Sequence, residues 1–204
     1  PEVEKAYEAF IAGGEPSSVS SASFTIAAAQ IESARELRMD AWFHHPHHVR
    51  ASTLQTPRNT QARKTGKLKD LVKRISFPGR FKRLYVEKTP STIPFLGGTN
   101  ISQLLIVTDK WLSSTNPHLD DLTVKKGWIL VTRSGSTGIV AMVPEAWENF
   151  AVSEHVIRIE PDDSKLPGAY LYAFLKTDHA QAVIRRGVFG SVIDEISPDY
   201  LGEI

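Results

Sequence analysis

Residues 125–143 read KKGWILVTRSGSTGIVAMV and predict a β-hairpin. Two runs of apolar, strand-forming residues, 128–132 and 139–143, flank the sequence RSGSTG, whose glycines and small residues suit a tight turn. Because both runs are almost continuously apolar instead of alternating, we expect the hairpin to lie in the middle of a sheet that is covered on both faces. Only its turn is then expected to reach water.

The turn of this hairpin presents a cation, hydroxyl groups and open backbone amides. Its polar side chains are those of Arg133, Ser134, Ser136 and Thr137. Such groups suit an anion, for example a nucleic-acid phosphate or a small phosphorylated ligand. Turns rich in glycine and serine are also common as purely structural features. The turn alone therefore leaves both interpretations open.

The composition is that of an ordinary globular protein. The 204 residues are 41% hydrophobic, which is enough for one well-buried core or two small ones, and the formal net charge is +1. Cysteine is absent, which excludes disulfides, thiolate nucleophiles and cysteine metal sites and fits a reducing compartment. No apolar run approaches the ~20 residues that span a bilayer, so we expect a cytoplasmic protein with no membrane partner.

The N-terminal residues are predicted to stand apart from the rest of the chain. Residues 1–12 have the apolar spacing of a short amphipathic helix, and residues 13–23, GGEPSSVSSAS, have the composition of a flexible linker. We therefore predict an N-terminal helix and linker in residues 1–22 and one main domain in residues 23–204.

A strongly basic stretch, residues 58–86, is hidden in the near-neutral net charge. It contains ten cations and a single acid, Asp70. Within it, residues 67–75, KLKDLVKRI, have the period of an amphipathic helix. Residues 80–86, RFKRLYV, are typical of a strand with one basic face.

The aromatic neighbours of these cations indicate what the basic stretch contacts. A run of charge is usually only a solvated face, but here the cations adjoin Phe81 and Tyr85, as they do on surfaces that bind nucleic acid. The candidate phosphate contacts in and just after the stretch are Arg80, Lys82, Arg83 and Lys88.

The remaining pattern consists of short strands and helices. We expect strands in residues 24–29, 104–108, 152–160 and 190–196. We expect helices in residues 166–177 and 179–186 and a helical turn in residues 197–201. Irregular connections are predicted in residues 89–94 and 109–122. Together these elements predict a mixed α/β (α+β) fold with a twisted, mostly antiparallel central sheet and flanking helices.

Four histidines close together in the sequence, His44, His45, His47 and His48, invite a metal hypothesis. However, Pro46 prevents a helical i, i+4 arrangement, and no nearby acid or cysteine completes the usual ligand spacing. A loop is therefore the better interpretation, and we predict neither a metal nor a cofactor.

The rest of the sequence contains no recognisable catalytic machinery. It has no serine elbow of the strand-turn-helix type, and its histidines cluster in one loop, away from candidate nucleophiles. Asp162, Asp163 and Lys165 have the residue types of a nuclease site, but they share one turn, whereas the carboxylates of such sites come from separated strands. We therefore predict a non-catalytic protein.

Taken together, these segments resemble the target recognition domain of a type I restriction-modification specificity subunit. The resemblance runs from about residue 23 to the C-terminus and depends on the order and spacing of several motifs. The earlier motifs are RMDA at 38–41, FPGRFKR at 77–83 and IPFL at 93–96, followed by Asn100 and Ile101. The later motifs are KGWILVTRSGSTG at 126–138, SEH at 153–155, YL at 170–171 and GSVI at 190–193, followed by Ile196.

This resemblance implies that the chain binds duplex DNA and reads half of a bipartite site. Members of the family carry two such domains, joined by long helices that dock methyltransferase subunits. Here only one recognition domain is present, so we expect a fragment that is unable to organise a full complex. The motifs of adenine methyltransferases are also missing, which implies that partner methyltransferase and restriction motor-nuclease subunits perform the chemistry.

The expected contacts divide into gripping and reading. Cations grip phosphates, and polar loop residues read base edges. The readers predicted in the hairpin turn are Arg133, Ser134, Ser136 and Thr137. If this turn contacts only phosphate, the reading role moves to Thr99, Asn100 or the loop before them.

Three alternatives remain open from the sequence. The chain is compatible with the recognition domain of a fused type II restriction-methyltransferase. A second alternative is a metal-dependent hydrolase that uses the four clustered histidines. A third is a protein-interaction module whose basic stretch binds an acidic partner.

Overall fold

The computed structural model describes residues 24–34, 37–46, 49, 66–80, 82–103, 105–189 and 193–204. The chain divides into two compact units, one within residues 1–50 and one within residues 51–204. The helix and linker predicted in residues 1–22 lie outside the described residues, so the predicted domain boundaries remain a prediction.

In its described residues, the first unit contains two short helices, α1 (Ala28–Glu32) and α2 (Ala41–His44). The strand predicted in residues 24–29 is wrong, because the chain enters α1 at Ala28. The Gln30 side chain accepts a hydrogen bond from the backbone N–H of Ala27 at 3.0 Å and so satisfies a donor at the helix start. Alanine is the best helix former, which favours a helix over a strand here.

The second unit is built on a four-stranded antiparallel sheet with the strand order β1-β7-β4-β5. Its strands are β1 (Val72–Ser76), β4 (Ile129–Thr132), β5 (Val140–Met142) and β7 (Val156–Pro161). Strands β4 and β5 form the predicted hairpin, in which Ile129 is paired with Met142 and Val131 with Val140. Because β7 pairs with the other side of β4, that arm of the hairpin lies inside the sheet, while β5 lies at its edge.

Both faces of this sheet are covered, as the sequence predicts. All four residues of β4 are buried. Ile129 and Val131 pack on one face against a cluster of helix residues, whereas Leu130 packs on the other face. Full burial of such aliphatic side chains is worth about 1.5–3 kcal/mol each, so this strand is a major source of the stability of the unit.

A second, three-stranded sheet has the order β3-β2-β6, with β2 (Thr92–Leu96), β3 (Trp111–Ser113) and β6 (Ala151–Val152). Strand β2 pairs antiparallel with β3 and parallel with β6. A small core that includes Phe95, Leu112 and Leu122 accompanies this sheet.

Helices complete the second unit. They are α3 (Leu68–Leu71), α4 (Leu119–Leu122), α5 (Gly168–Leu175), α6 (Asp178–Arg186) and α7 (Pro198–Gly202), with 3-10 turns at Asn100–Ser102 and Glu145–Trp147. The helices predicted in residues 166–177 and 179–186 and the helical turn in 197–201 are confirmed. The hydroxyls of Thr177 and Ser197 cap α6 and α7 by accepting from backbone N–H groups at 3.2 and 3.1 Å.

The helix predicted across residues 67–75 is wrong beyond its first turn. The chain leaves the helix after Leu71 and pairs as β1 with β7, where Val72 lies opposite Pro161. Leu68 and Val72 are still buried in the same cluster, so the apolar pattern marks the core correctly. The hydrogen bonds that a sheet partner offers outweigh the helical period.

Strands near residue 100 were also placed wrongly by the sequence. Residues 82–88 and 105–108 form no strand, and the strands lie instead in the segments predicted as irregular, at β2 and β3. Pro94 makes β2 difficult to predict from the sequence, since proline is rare in paired strands. It is tolerated because β6 pairs only with Phe95 and Leu96, after the proline.

The strand predicted at residues 190–196 is reduced, within its described part, to isolated bridges. Glu195 forms one bridge with Ser134 and another with Phe189. These bridges attach residues near the C-terminus to the hairpin turn. The overall prediction of a mixed fold with a mostly antiparallel sheet is confirmed.

Candidate nucleic-acid interface

The strand directions bring four loop segments to one end of the second unit. In the antiparallel sheet, β4 ends where β7 begins, because Thr132 is paired with Val156. Strand β1 ends there too, since Ser76 is paired with Arg158. Strand β2 joins them through the hydrogen bond from Ser153 N to Leu96 O at 2.9 Å. We call the segments 77–80, 82–83, 97–100, 133–138 and 153–155 the turn cluster, residue 81 lying outside the described residues.

The hairpin turn in this cluster has a fixed conformation. Gly135 and Gly138 have φ angles of +78° and +88°, which side-chain-bearing residues rarely adopt. The buried hydroxyl of Thr132 accepts from the backbone N–H of Ile139 at 2.8 Å and donates to the carbonyl of Ser136 at 2.5 Å. The turn is therefore closed by hydrogen bonds before any ligand arrives.

Arg133 is held within the protein and does not project freely into solvent. Its Nη2 lies 2.8 Å from Glu195 Oε2, its guanidinium lies 4.3 Å from the centre of the Phe77 ring, and its side chain is only 14% exposed. The backbone N–H of Arg133 donates to His155 O at 2.7 Å. A base or phosphate would have to compete with these contacts for the arginine.

The hydroxyl groups of the turn differ in their availability. Ser134 Oγ lies 2.5 Å from His155 Nδ1, and Thr137 Oγ1 donates to the carbonyl of Asp194 at 3.1 Å. Ser136 is exposed, and its hydroxyl forms no hydrogen bond with the residues that the structure describes. Of the three predicted hydroxyl readers, Ser136 is therefore best placed to meet an external ligand.

The contact between Ser134 and His155 corrects one point of the sequence interpretation. A histidine does lie beside a hydroxyl, although the sequence placed the histidines away from candidate nucleophiles. Ser134 is in a hairpin turn and not in a strand-to-helix elbow, which is the setting that exposes a nucleophilic serine. The pair therefore fixes the turn and does not change the non-catalytic interpretation.

The basic segment after β1 is tied to the same cluster through Glu154. The guanidinium of Arg83 binds both carboxylate oxygens of Glu154, and the Arg83 side chain is 16% exposed. Arg80 is 73% exposed, with its Nε 3.9 Å from Glu154 Oε1, and Lys82 is exposed. Arg80 and Lys82 are thus open to a phosphate, whereas Arg83 already has an internal partner.

The charge of Glu154 is stabilised by this arrangement. Burial acts to raise the pKa of the Glu154 carboxyl, but the hydrogen bond and charge of Arg83, with smaller effects from its own backbone and His155, outweigh burial. The pKa of Glu154 therefore lies below its ordinary value, and the carboxylate remains ionised at neutral pH.

Lys88 belongs to a different surface, beside the three-stranded sheet. Its Nζ lies 4.9 Å from the centre of the Trp111 ring, a cation–π contact. The backbone N–H of Val86 donates to Trp111 O at 2.9 Å and fixes this segment along β3. Lys110 lies over Tyr85 at 5.8 Å in the same region. The basic segment therefore runs from the turn cluster to exposed lysines near β3.

The loop after β2 presents Thr99 but uses Asn100 internally. The Asn100 side chain accepts from Gly97 N at 2.8 Å and donates to Val107 O at 2.8 Å, so both ends of its amide brace the loop. Thr99 is exposed. The loop lies close to the hairpin at Gly98, since a Cβ at this position would be only 3.4 Å from Thr132 Cγ2.

Sequence reasoning did not identify the acidic partners of the arginines. Glu154, His155 and Glu195 were absent from the predicted site, although the motif at 153–155 contributed to the family resemblance. Nothing local in the sequence links them to their partners, because Glu154 is 71 residues from Arg83 and Glu195 is 62 residues from Arg133.

The histidine cluster belongs to the first unit and has an ordinary structural role where it is described. His44 is buried, and its Nε2 lies 2.5 Å from Arg38 O. His47 and His48 lie outside the described residues. In the described part of the chain, no group of three or more acidic or histidine side chains is arranged to hold a metal ion. Across the same residues, no helix has the length and apolar character needed to cross a bilayer.

Comparison with known proteins identifies the family. The model of the type I restriction modification DNA specificity domain matches residues 63–199, which include all the segments of the turn cluster. The chain belongs to this family. This membership confirms the resemblance that the sequence motifs suggest. No curated protein matches the sequence.

Solved structures of specificity subunits are similar to this specificity domain. The S subunit of a type I restriction-modification system from M. genitalium is 20% identical over 74% of this chain and 35% of its own, with a TM-score of 0.47. The HsdS subunit from Thermoanaerobacter tengcongensis is 14% identical over 87% of this chain and 42% of its own, with a TM-score of 0.49.

A third match comes from a structure that describes complex assembly and conformational transition of the type I R-M system. It is 14% identical over 86% of this chain and 43% of its own, and its TM-score of 0.53 shows a shared fold. The specificity domain spans between 35% and 43% of the lengths of these three structures. The matches give no support to a fused type II enzyme or to a metal-dependent hydrolase.

Proposed function

We propose that this specificity domain recognises duplex DNA in a sequence-specific manner and reads half of a bipartite site. The observation that carries the proposal is the match of residues 63–199 to a DNA specificity domain. Partner methyltransferase and restriction motor-nuclease subunits perform the chemistry in this proposal. The domain itself needs no cofactor, and it acts in the cytoplasm, where its DNA lies.

The exposed polar groups support a division between gripping and reading. Arg80, Lys82 and Lys88 are exposed and suit phosphates, while Thr99 and Ser136 are exposed on adjoining loops and suit base edges. The other five predicted contact residues have internal partners and shape the site: Arg83, Asn100, Arg133, Ser134 and Thr137.

Gripping is tested by single substitutions to alanine at Arg80 and at Lys82. Each variant is expected to bind all duplexes more weakly to the same extent. The dependence of log affinity on log salt should fall by about one unit, because one fewer counterion is released. The measurement is a salt titration of binding to one duplex of mixed sequence.

The matched control is Lys126→Ala. Lys126 is also exposed, but it lies before β4, at the opposite end of the hairpin from the turn, and pairs with Glu145 at 2.7 Å. For the Lys126→Ala variant, the dependence of log DNA affinity on log salt is expected to equal that of the wild type. If the wild-type chain binds no duplex even at low salt, the proposal fails and an acidic protein partner becomes the better candidate.

A further inference from the structure

We propose that Glu154 is a positioning residue that strengthens DNA recognition despite its negative charge. The inference rests on the proposed function, since it concerns how the recognition surface is kept in shape. Glu154 lies in the turn between β6 and β7 and is only 7% exposed. That turn is closed by the hydrogen bond from Val156 N to Ser153 O at 3.0 Å.

The carboxylate of Glu154 holds the basic segment against the body of the unit. It binds two nitrogens of the Arg83 guanidinium, one on each oxygen, which is the bidentate geometry that fixes an arginine most firmly. The same guanidinium lies 4.9 Å from the centre of the Phe95 ring in β2. The path of the exposed cations on either side of Arg83 therefore depends on this ion pair.

The backbone of the same dipeptide holds the hairpin turn. The carbonyl of Glu154 accepts from Arg133 Nη1 at 3.4 Å, and the carbonyl of His155 accepts from Arg133 N at 2.7 Å. The ring of His155 contacts the hydroxyl of Ser134. One dipeptide thus connects the segment proposed to grip phosphates with the turn proposed to read bases.

If Glu154 positions Arg83, replacing Glu154 with a neutral residue should weaken DNA binding, which is the opposite of the usual effect. Removing an acid from a DNA-binding surface ordinarily strengthens binding, because the acid repels phosphates. Glu154→Gln removes a charged partner of Arg83, whose side chain is largely buried, and breaking a buried ion pair is costly. The segment that carries Arg80 and Lys82 then loses its anchor, so binding should weaken.

The test uses the whole 204-residue chain and two duplexes. One duplex is the sequence that the wild-type chain enriches from a randomised pool, and the other has the same bases in scrambled order. Glu154→Gln is expected to bind the enriched duplex about tenfold more weakly, the effect of losing one charge-assisted hydrogen bond, and to lose discrimination between the two duplexes.

The matched control is Glu87→Gln, because Glu87 is an exposed acid near the same basic segment. It should bind both duplexes as tightly as the wild type or more tightly. The effect of Glu154→Gln should also vanish in an Arg83→Gln background, because the proposed role acts through Arg83. A merely structural role would lower the melting temperature but leave the discrimination between the two duplexes unchanged.

The possible results distinguish failure of the proposed role of Glu154 from failure of the proposed DNA-binding function. If Glu154→Gln binds the enriched duplex as tightly as the wild type, with unchanged discrimination, Glu154 is not a positioning residue while the DNA-binding function stands. If the wild-type chain enriches no sequence, the function itself fails. Should Glu154→Gln not melt cooperatively, Arg83→Gln removes the other half of the pair, and unchanged discrimination by that variant also overturns the inference.

Discussion

At the scale of single residues, the arginines of the turn cluster are defined by their acidic partners. The sequence identifies Arg83 and Arg133 as candidates from their charge and their neighbours. It does not reveal that Glu154 and Glu195 hold them, because these pairs form only when segments distant in the sequence meet. Arg80 and Lys82 retain the exposed position that the sequence predicts.

The ion pair of Glu154 makes stability depend on pH in a defined direction. A carboxyl whose pKa is lowered on folding stabilises the protein fully above its unfolded pKa, here close to 4.5, and loses this contribution as the pH falls through the folded value. Glu154→Gln is therefore expected to lower the free energy of unfolding by roughly 1–3 kcal/mol near neutral pH. The difference from the wild type should shrink below pH 4.5.

Urea unfolding at several pH values measures this difference. Ser136→Ala provides the control, because it removes no titrating group and should shift the unfolding free energy equally at every pH. A difference between Glu154→Gln and the wild type that grows as the medium becomes acidic would contradict the proposed ion pair.

At the scale of elements, local sequence predicts what local interactions determine. The hairpin and helices α5, α6 and α7 were predicted correctly, because their turns, caps and apolar spacing lie within each segment. Strands β1 and β2 were missed, because their identity depends on pairing with β7, β3 and β6. The convergence of four loops at one end follows from that pairing and has no local signal.

The packing of the hairpin turn against α6 can be tested by placing alanine at its two glycines. A Cβ at Gly138 would lie 2.9 Å from Ile184 Cγ2, whereas a Cβ at Gly135 has no neighbour within 4 Å. Both positions have a positive φ, so alanine at either should cost about 1–2 kcal/mol in backbone strain. Gly138→Ala should cost a further roughly 1–3 kcal/mol, because buried Ile184 must move.

Thermal or urea unfolding of the two glycine variants tests this difference directly. Gly79→Ala serves as the reference, since Gly79 does not have a positive φ and a Cβ there meets nothing within 4 Å. Equal losses of stability for Gly135→Ala and Gly138→Ala would show that the turn does not pack against α6.

At the scale of the whole molecule, the second unit places its candidate DNA contacts, apart from Lys88, at one end of the four-stranded sheet. The buried strands β4 and β7 form the base, and the loops at their ends carry the exposed groups. A recognition surface of this kind is preorganised, so less conformational entropy is lost when it binds. We therefore expect the hairpin-turn end of the sheet, and not the opposite end, to face DNA.

Because the chain contains no cysteine, a single introduced thiol reports on this claim without interference. Ser136→Cys places the thiol in the hairpin turn, and Lys126→Cys places it at the opposite end of the same hairpin, both at exposed positions. The measurement is the rate of thiol alkylation by a small neutral reagent, with and without saturating duplex DNA. We expect DNA to slow alkylation of the Ser136→Cys variant several-fold and to leave the rate for the Lys126→Cys variant unchanged. Equal rates with and without DNA for Ser136→Cys, or protection of Lys126→Cys alone, would contradict it.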